Sequence, residues 1–174
     1  DADLKAGCTM YANGFAQVTA QAMENAKDLG AKATDTLKLG MTTEKYYESN
    51  ETNLQYDTNY AIVTVDADGK VTSCVIDASQ AKCSIADGKF TVEKGAYKSK
   101  KELGDDYAMK SASPIGKEWY EQAEAFEKWC VGKTADEVKA SYGDDMTATD
   151  ADLKAGCTIT INSIAENVAK AINS

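Results

Sequence analysis

The sequence predicts an α+β protein: an antiparallel sheet of about four strands, with C-terminal helices packed on one face and a further helix at the N-terminus. Two patterns lead to this fold class. Short segments rich in β-branched residues, separated by turns that contain glycine, occupy the first half of the chain. Segments with apolar residues at helical spacing occupy the second half. The 174 residues, 43% of them hydrophobic, are enough to bury a core.

The first predicted element is a helix from about Met10 to Asp28. It should end at Gly30, because glycine adopts at little cost the left-handed conformation that terminates many helices. One face of this segment is apolar and carries Phe15, Val18, Ala22 and Ala26.

The sheet is predicted next. Leu37, Leu39 and Met41 alternate with polar residues, which indicates a half-buried strand. Three further strands are predicted over Asn59–Val65, Val71–Asp77 and Lys89–Glu93. The segment Asp66–Gly69 is typical of a hairpin turn, and the polar segment Ser49–Asn59 is predicted as a loop.

The second half of the chain predicts helices. Ser113 is a suitable N-cap and Pro114 suits the first helical position. Gly132 should end this helix, and Thr134 and Glu137 predict a capping box for a short helix after it. Apolar residues of the long helix recur at i, i+4, i+7 and i+11, which predicts one buried stripe of Trp119, Ala123, Phe126 and Cys130.

Composition excludes several classes of function. The chain has 28 acidic residues, 19 lysines, no arginine and no histidine, so its net charge is −9. We expect no nucleic-acid partner, because such proteins present a basic face and arginine contacts. The lack of histidine excludes a Ser-His-Asp triad and histidine-ligated zinc or haem. No apolar run reaches the roughly 20 residues of a membrane span.

Five cysteines are present: Cys8, Cys74, Cys83, Cys130 and Cys157. None forms a Cys-x-x-Cys pair, so the spacing of zinc ribbons and thioredoxins is missing. We interpret them as small buried hydrophobic residues. A disulfide between Cys74 and Cys83, which flank a predicted turn between strands, is the alternative.

One nonapeptide occurs twice. Residues 1–9 read D-A-D-L-K-A-G-C-T, and residues 150–158 read the same, so the offset is 149 residues (150 minus 1). A helical, alanine-rich segment follows each copy. Because this offset is the length of a whole domain, we interpret residues 1–28 as the closing segment of a preceding repeat unit and residues 29–174 as a complete domain. The apolar face after the second copy comprises Ile161, Ile164, Ala165, Val168 and Ile172.

The repeated segment has a structural interpretation as a helix–turn–helix junction. Residues 142–149 are predicted as a loop, and Thr149 then caps a single helical turn. Gly156 ends that turn, and Thr158 or Thr160 caps the next helix.

The same segment resembles the flavinylation motif of the FMN-binding domain family. That motif runs Asp, two variable residues, Ser or Thr, Gly, Ala and Ser or Thr, and leads into a helix. The matching positions in the two copies are Asp152, Gly156, Thr158, Asp3, Gly7 and Thr9. Both copies depart from the motif in the same way, with Ala before the glycine and Cys after it.

The resemblance implies FMN esterified through its phosphate to Thr158 at the start of a helix, where backbone N–H groups and the helix dipole favour an anion. The flavin ring needs an apolar or aromatic slot, for which Tyr107, Trp119 and Tyr120 are the candidates. Ordinary packing of these three aromatic residues is the alternative.

A second resemblance covers more of the chain. Several segments are similar to secreted tandem-repeat proteins of anaerobic Gram-positive bacteria, some of which are described as FMN-binding-like. These segments are 37–40, 63–77, 103–107, 116–122 and 132–134. The resemblance implies an extracellular or cell-surface location.

Paired carboxylates occur at Asp105-Asp106 and Asp144-Asp145. Neither pair has the alternating oxygen-ligand spacing of an EF-hand. We interpret both pairs as solvated turn residues.

Two functions are therefore expected. The first is an extracytoplasmic flavin-binding electron-transfer domain, with FMN held either non-covalently or covalently and a redox partner at the cell envelope. The alternative is a non-catalytic structural repeat of a surface protein or a subunit of an extracellular filament, self-assembling through residues 1–28. In both cases we expect a carrier or a structural protein rather than a catalyst.

Overall fold

Four strands run antiparallel in chain order in the computed structural model, which describes residues 2–92 and 98–174. They are β1 (Thr36–Lys45), β2 (Asn53–Val65), β3 (Val71–Ala86) and β4 (Lys89–Val92). The predicted hairpin turn joins β2 to β3: the Asp66 carboxylate accepts the N–H groups of Asp68 and Lys70, and Gly69 has φ +73°. Glu93, the predicted end of the last strand, lies outside the described residues.

Helices precede and follow the sheet. They are α1 (Ala2–Gly7), α2 (Asn13–Glu24), α3 (Lys100–Leu103), α4 (Trp119–Cys130), α5 (Ala135–Lys139), α6 (Ala151–Gly156) and α7 (Asn162–Ile172), with a 3-10 turn at Gly104–Tyr107. Helix α7 packs on β1 and β2, and α4 packs on β3. The predicted fold class, an antiparallel sheet with C-terminal helices on one face and an N-terminal helix, is confirmed.

The core lies between the sheet and these two helices. The stripe predicted on α4 is buried, with Phe126 and Ala123 fully inaccessible to solvent. Val63 and Ile76 meet it from the inner face of the sheet, and Val168 meets it from α7. The predicted capping box of α5 is also present, since Thr134 and Glu137 bond reciprocally.

The predicted loop Ser49–Asn59 is wrong from Asn53 onward, because β2 begins there. All of this polar segment pairs with β3 and its second half also pairs with β1, so ladder hydrogen bonds override the weak strand propensity of its side chains. The polar groups also find cross-strand partners: the hydroxyls of Thr43 and Thr58 lie 2.9 Å apart.

The predicted start of the long helix is also wrong. Helix α4 begins at Trp119 with Glu118 as its N-cap, and Ser113 instead belongs to a separate turn that ends at Gly116. Gly116 has φ +62°, a conformation that interrupts a helix. The Glu121 carboxylate accepts the Glu118 N–H at 2.8 Å, which supplies the cap.

Strand β1 presents its apolar residues to the opposite side from the one expected of a half-buried strand. Leu37, Leu39 and Met41 are 70%, 58% and 49% exposed, whereas Gly40 faces α7 and is buried. Helix α7 comes so close to the strand that only glycine fits there. The uncovered face of the sheet is therefore apolar along its first strand.

The N-terminal helix is shorter than predicted. Helix α2 ends at Glu24, and α1 is a separate helix before it. Neither contains a buried residue, so no tertiary packing supports further turns. Gly30 has positive φ, as expected, but lies beyond the helix end.

The cysteines are free thiols. Cys74, Cys130 and Cys157 are buried, as interpreted, and Cys8 and Cys83 are half-buried. The alternative disulfide is excluded, because Cys74 and Cys83 lie nine residues apart in the same strand, a separation of roughly 30 Å.

No helix among residues 2–92 and 98–174 combines the length and apolar character that crossing a bilayer requires. Over the same residues, no group of three or more Cys, Asp or Glu side chains is arranged to hold a metal ion. Asp105, Asp106, Asp144 and Asp145 are exposed turn residues.

Candidate functional site

The candidate site is the junction between α6 and α7, which contains the second copy of the nonapeptide. The predicted cap Thr149 is displaced by one residue: the Asp150 carboxylate accepts the Leu153 N–H at 2.9 Å. This hydrogen bond lowers the pKa of Asp150 below its ordinary value of 3.8. Leu153, 2% exposed, anchors the helix in the core.

The glycine of the motif lies against α4. A Cβ at Gly156 would be 2.8 Å from the Ala125 Cβ, so a side chain there would require the helices to separate. The next residue, Cys157, is fully buried and donates its N–H to the Leu153 carbonyl at 2.8 Å. Burial raises the pKa of the Cys157 thiol to about 11, so it remains protonated at neutral pH.

Thr158 is held by a buried glutamine. Its N–H and its hydroxyl donate to the Gln122 carboxamide oxygen at 2.8 and 3.1 Å. The Gln122 amide in turn donates to the Ser113 hydroxyl and to the Lys117 carbonyl, both at 3.1 Å. Gln122 is fully buried and thereby fixes the junction to α4 and to the loop before it.

The structure does not place Thr158 at a helix N-terminus. Helix α7 begins four residues later, at Asn162, and its N-cap residue is Ile161, which has no capping side chain. The prediction that Thr158 or Thr160 caps this helix is therefore wrong. The physical reason is that the Thr158 hydroxyl is taken by Gln122, while the Ile161 N–H donates to the Met146 carbonyl and carries the chain into the core.

The other motif positions are at the surface. Asp152 is exposed in the first turn of α6. In the first copy, Asp3, Gly7 and Thr9 are all exposed, and a Cβ at Gly7 would meet no atom within 4 Å. The two copies thus share a sequence but not an environment.

The three candidate aromatic residues lie together at the corner formed by α3, the 3-10 turn and α4. The Lys100 ammonium lies 5.2 Å from the ring centroids of both Tyr107 and Trp119. The Tyr120 hydroxyl donates to Asp105 at 3.3 Å. Trp119 is only 3% exposed, so it is part of the hydrophobic core.

A separate groove of about 420 Å³ lies at the far end of the sheet and contains none of the motif residues. It is lined by the β1–β2 turn and part of β3. The polar groups of the turn bond one another: Asn50 accepts the N–H groups of Thr52 and Asn53, and the Ser49 hydroxyl accepts the Gln55 N–H. Because these polar groups already bond one another, we interpret the groove as a product of the turn's own structure rather than as a binding site.

Sequence reasoning missed Gln122 and Glu118. Both are buried polar residues, Gln122 on α4 and Glu118 at its N-cap, and the Glu118 carboxylate accepts the N–H groups of Met109 and Lys110 at 2.9 Å. The available signal was a glutamine within the predicted apolar stripe, one turn after Trp119. Buried amides are usually hydrogen-bonded, so such a residue marks a fixed polar contact.

Comparisons with known proteins add little. No family model matches the chain, and no solved structure matches it. Chlorophenol reductase from Desulfitobacterium hafniense is 46% identical over 43 residues, which is 25% of this chain and 13% of that protein. So short a match shows neither a family nor an activity.

Proposed function

We propose that this chain is a non-catalytic structural repeat of an extracellular or cell-surface protein, in which units are held together through residues 1–28. One observation supports this above all: in both copies the repeated nonapeptide and the residues after it form a short helix and then a longer one, once buried in the domain and once exposed. The location outside the cytoplasm rests on the resemblance to secreted tandem-repeat proteins.

The exposed copy has the composition of an interface. Its large apolar side chains are between 58% and 75% exposed at Leu4, Met10, Phe15, Val18 and Met23. Burying one such side chain contributes about 1.5–3 kcal/mol. The segment touches its own domain through a hydrogen bond from Gln21 to Glu102 at 2.7 Å, which is an exposed polar contact.

Sedimentation of the full chain and of a chain lacking residues 1–28 tests the proposal. We expect the full chain to associate reversibly through the exposed apolar face of residues 1–28 itself, and the shortened chain to be monomeric. Phe15→Asp should abolish association, because it places a charge on the exposed apolar face of α2. Phe15 is 66% exposed, so the substitution leaves the core intact. Gln17→Asp, on the same helix, serves as the control. If the full chain and the shortened chain are both monomeric at high concentration, association of separate chains through this segment is wrong.

Flavin binding is the second candidate function. It is favoured by one contact of the motif threonine with α4: Thr158 bonds Gln122, which lies one turn after Trp119. Loading would require Gln122 to release the Thr158 hydroxyl so that the hydroxyl carries the phosphate ester. FMN would supply the redox chemistry, and the protein would hold and tune it.

Mass spectrometry of protein from its native source separates the two functions. Covalent flavinylation predicts yellow protein and an FMN mass on the peptide containing Thr158, retained after denaturation. Unmodified peptides spanning Thr158 and Thr9 contradict it. Protein made without a flavin transferase is not a fair test, because the ester bond requires the enzyme.

A further inference from the structure

At the offset of 149 residues the helices of the two copies have the same boundaries, except that α2 ends one residue later than α7. Helix α1 corresponds to α6 over its whole length, and α2 begins at Asn13 where α7 begins at Asn162. The Cys8 N–H donates to the Leu4 carbonyl at 2.8 Å, as Cys157 does to Leu153. The local structure of this segment is therefore independent of the sheet beneath it.

The environments of the copies differ at each matched contact. Leu153 is 2% exposed and Leu4 is 58% exposed. Ile164 is 7% exposed, and its counterpart Phe15 is 66% exposed. The first copy thus has the helices of the second copy but not the packing against a sheet that buries them.

The contact of α7 with its sheet depends on small residues. A Cβ at Gly40 would overlap the Asn167 carbonyl and lie 3.1 Å from the Ala171 nitrogen. The partner of Gly40 on β2 is Ala61, which is fully buried. The helix backbone therefore rests directly on a strip of Gly and Ala.

Helix α2 keeps the small residues that this approach requires. The three fully buried alanines of α7, which are Ala165, Ala169 and Ala171, correspond to Ala16, Ala20 and Ala22. The uncovered face of β1 offers no such strip, because it presents Leu37, Leu39 and Met41.

The acceptor is not the sheet of the same chain, whose β1 and β2 are already covered by α7. We infer that α2 docks on the inner β1–β2 face of a neighbouring unit of this same fold, over the position that matches Gly40, and closes a sheet that has no closing helix of its own. This inference rests on the proposed function and names the partner surface within it.

A two-unit chain tests the inference. Residues 29–149 are placed directly before Asp1 of the full chain, which recreates the junction between residues 149 and 150. Amide hydrogen exchange is then compared between α2 in the 174-residue chain and α2 in the two-unit chain. We expect at least a hundredfold slower exchange over residues 13–24 in the two-unit chain.

Matched variants locate the contact. Ala22→Leu should abolish the protection in the two-unit chain, because its counterpart Ala171 lies against Gly40, and should leave the melting temperature of the 174-residue chain unchanged. Gln17→Leu adds the same side chain where the counterpart, Glu166, is exposed, and should keep the protection.

Fast exchange of α2 in the two-unit chain, or protection that survives Ala22→Leu, overturns the inference. If the 174-residue chain nevertheless associates through residues 1–28, the proposed function stands and only the acceptor surface is wrong. If α2 exchanges fast in the two-unit chain and the 174-residue chain does not associate, both are wrong.

Discussion

At the scale of single residues, a buried polar side chain determines the position of the candidate site. Gln122 receives two hydrogen bonds from Thr158 and donates one each to Ser113 and Lys117. Hydrophobic periodicity predicted the buried residues Trp119 and Phe126 around it, because burial of apolar side chains follows spacing. The same spacing carries no information on which polar residue a neighbouring loop will use, so the displacement of Thr158 from the helix start was not predictable.

The core position of Phe126 gives a prediction at this scale. Phe126→Ala should lower the free energy of unfolding by roughly 3–5 kcal/mol, because the side chain is fully buried and its removal leaves a cavity. Phe15→Ala is the matched control and should change it by less than about 0.5 kcal/mol. Urea unfolding measures both. A loss below about 1 kcal/mol for Phe126→Ala would contradict the buried stripe.

The cap of α6 predicts a pH dependence. The Leu153 N–H holds the pKa of Asp150 below 3.8 in the folded protein. A lowered carboxylate pKa contributes stability that is present above the unfolded value and is lost as the pH falls through the folded value. Asp150→Ala should therefore lower the urea midpoint at pH 7.

Asp150→Asn is the control for the cap, because asparagine retains a capping oxygen but does not titrate. Its midpoint should stay close to that of the unmodified chain at pH 7. The midpoint of the unmodified chain should fall relative to Asp150→Asn below about pH 4. An Asp150→Ala chain as stable as the unmodified chain at pH 7 would exclude the cap.

At the scale of elements, strand positions were predicted better than strand faces. Alternation of Leu37, Leu39 and Met41 identified β1, but the covered face is that of Gly40, because α7 needs a residue without a side chain there. Alternation of apolar and polar residues shows that a strand has two different faces, but it does not show which of them a helix will cover. Asn53–Asn59 was missed because pairing on both sides, a tertiary effect, stabilises a polar strand.

The two copies of the nonapeptide allow one substitution to be made in two environments. Gly156→Ala should destabilise the chain by about 1–3 kcal/mol, since its Cβ would lie 2.8 Å from that of Ala125. Gly7→Ala, the same change in the same sequence, meets no atom within 4 Å and should be neutral. Thermal unfolding of both chains decides this. Equal effects would mean that the copies have equal environments.

At the scale of the whole molecule, the chain carries the repeated segment twice, once packed on the sheet and once exposed. The repeat located both segments in advance, since the identical nonapeptide is followed in each copy by a helical, alanine-rich segment. It did not predict that the first copy would be exposed, because burial depends on a sheet that the segment does not encode. For the same reason the motif identified Asp152, Gly156 and Thr158 as a group but did not predict which residues hydrogen-bond to them or pack against them.

Amide hydrogen exchange of the dilute 174-residue chain tests the central claim most directly. The claim is that α2 and α7 are equivalent helices of which only α7 is packed. It predicts slow exchange over residues 162–172, because their amides become accessible only when the core unfolds. It predicts fast exchange over residues 13–24, because no buried contact protects them. Equal protection of the two segments in the monomer would show that residues 1–28 pack on their own domain, and would contradict the account.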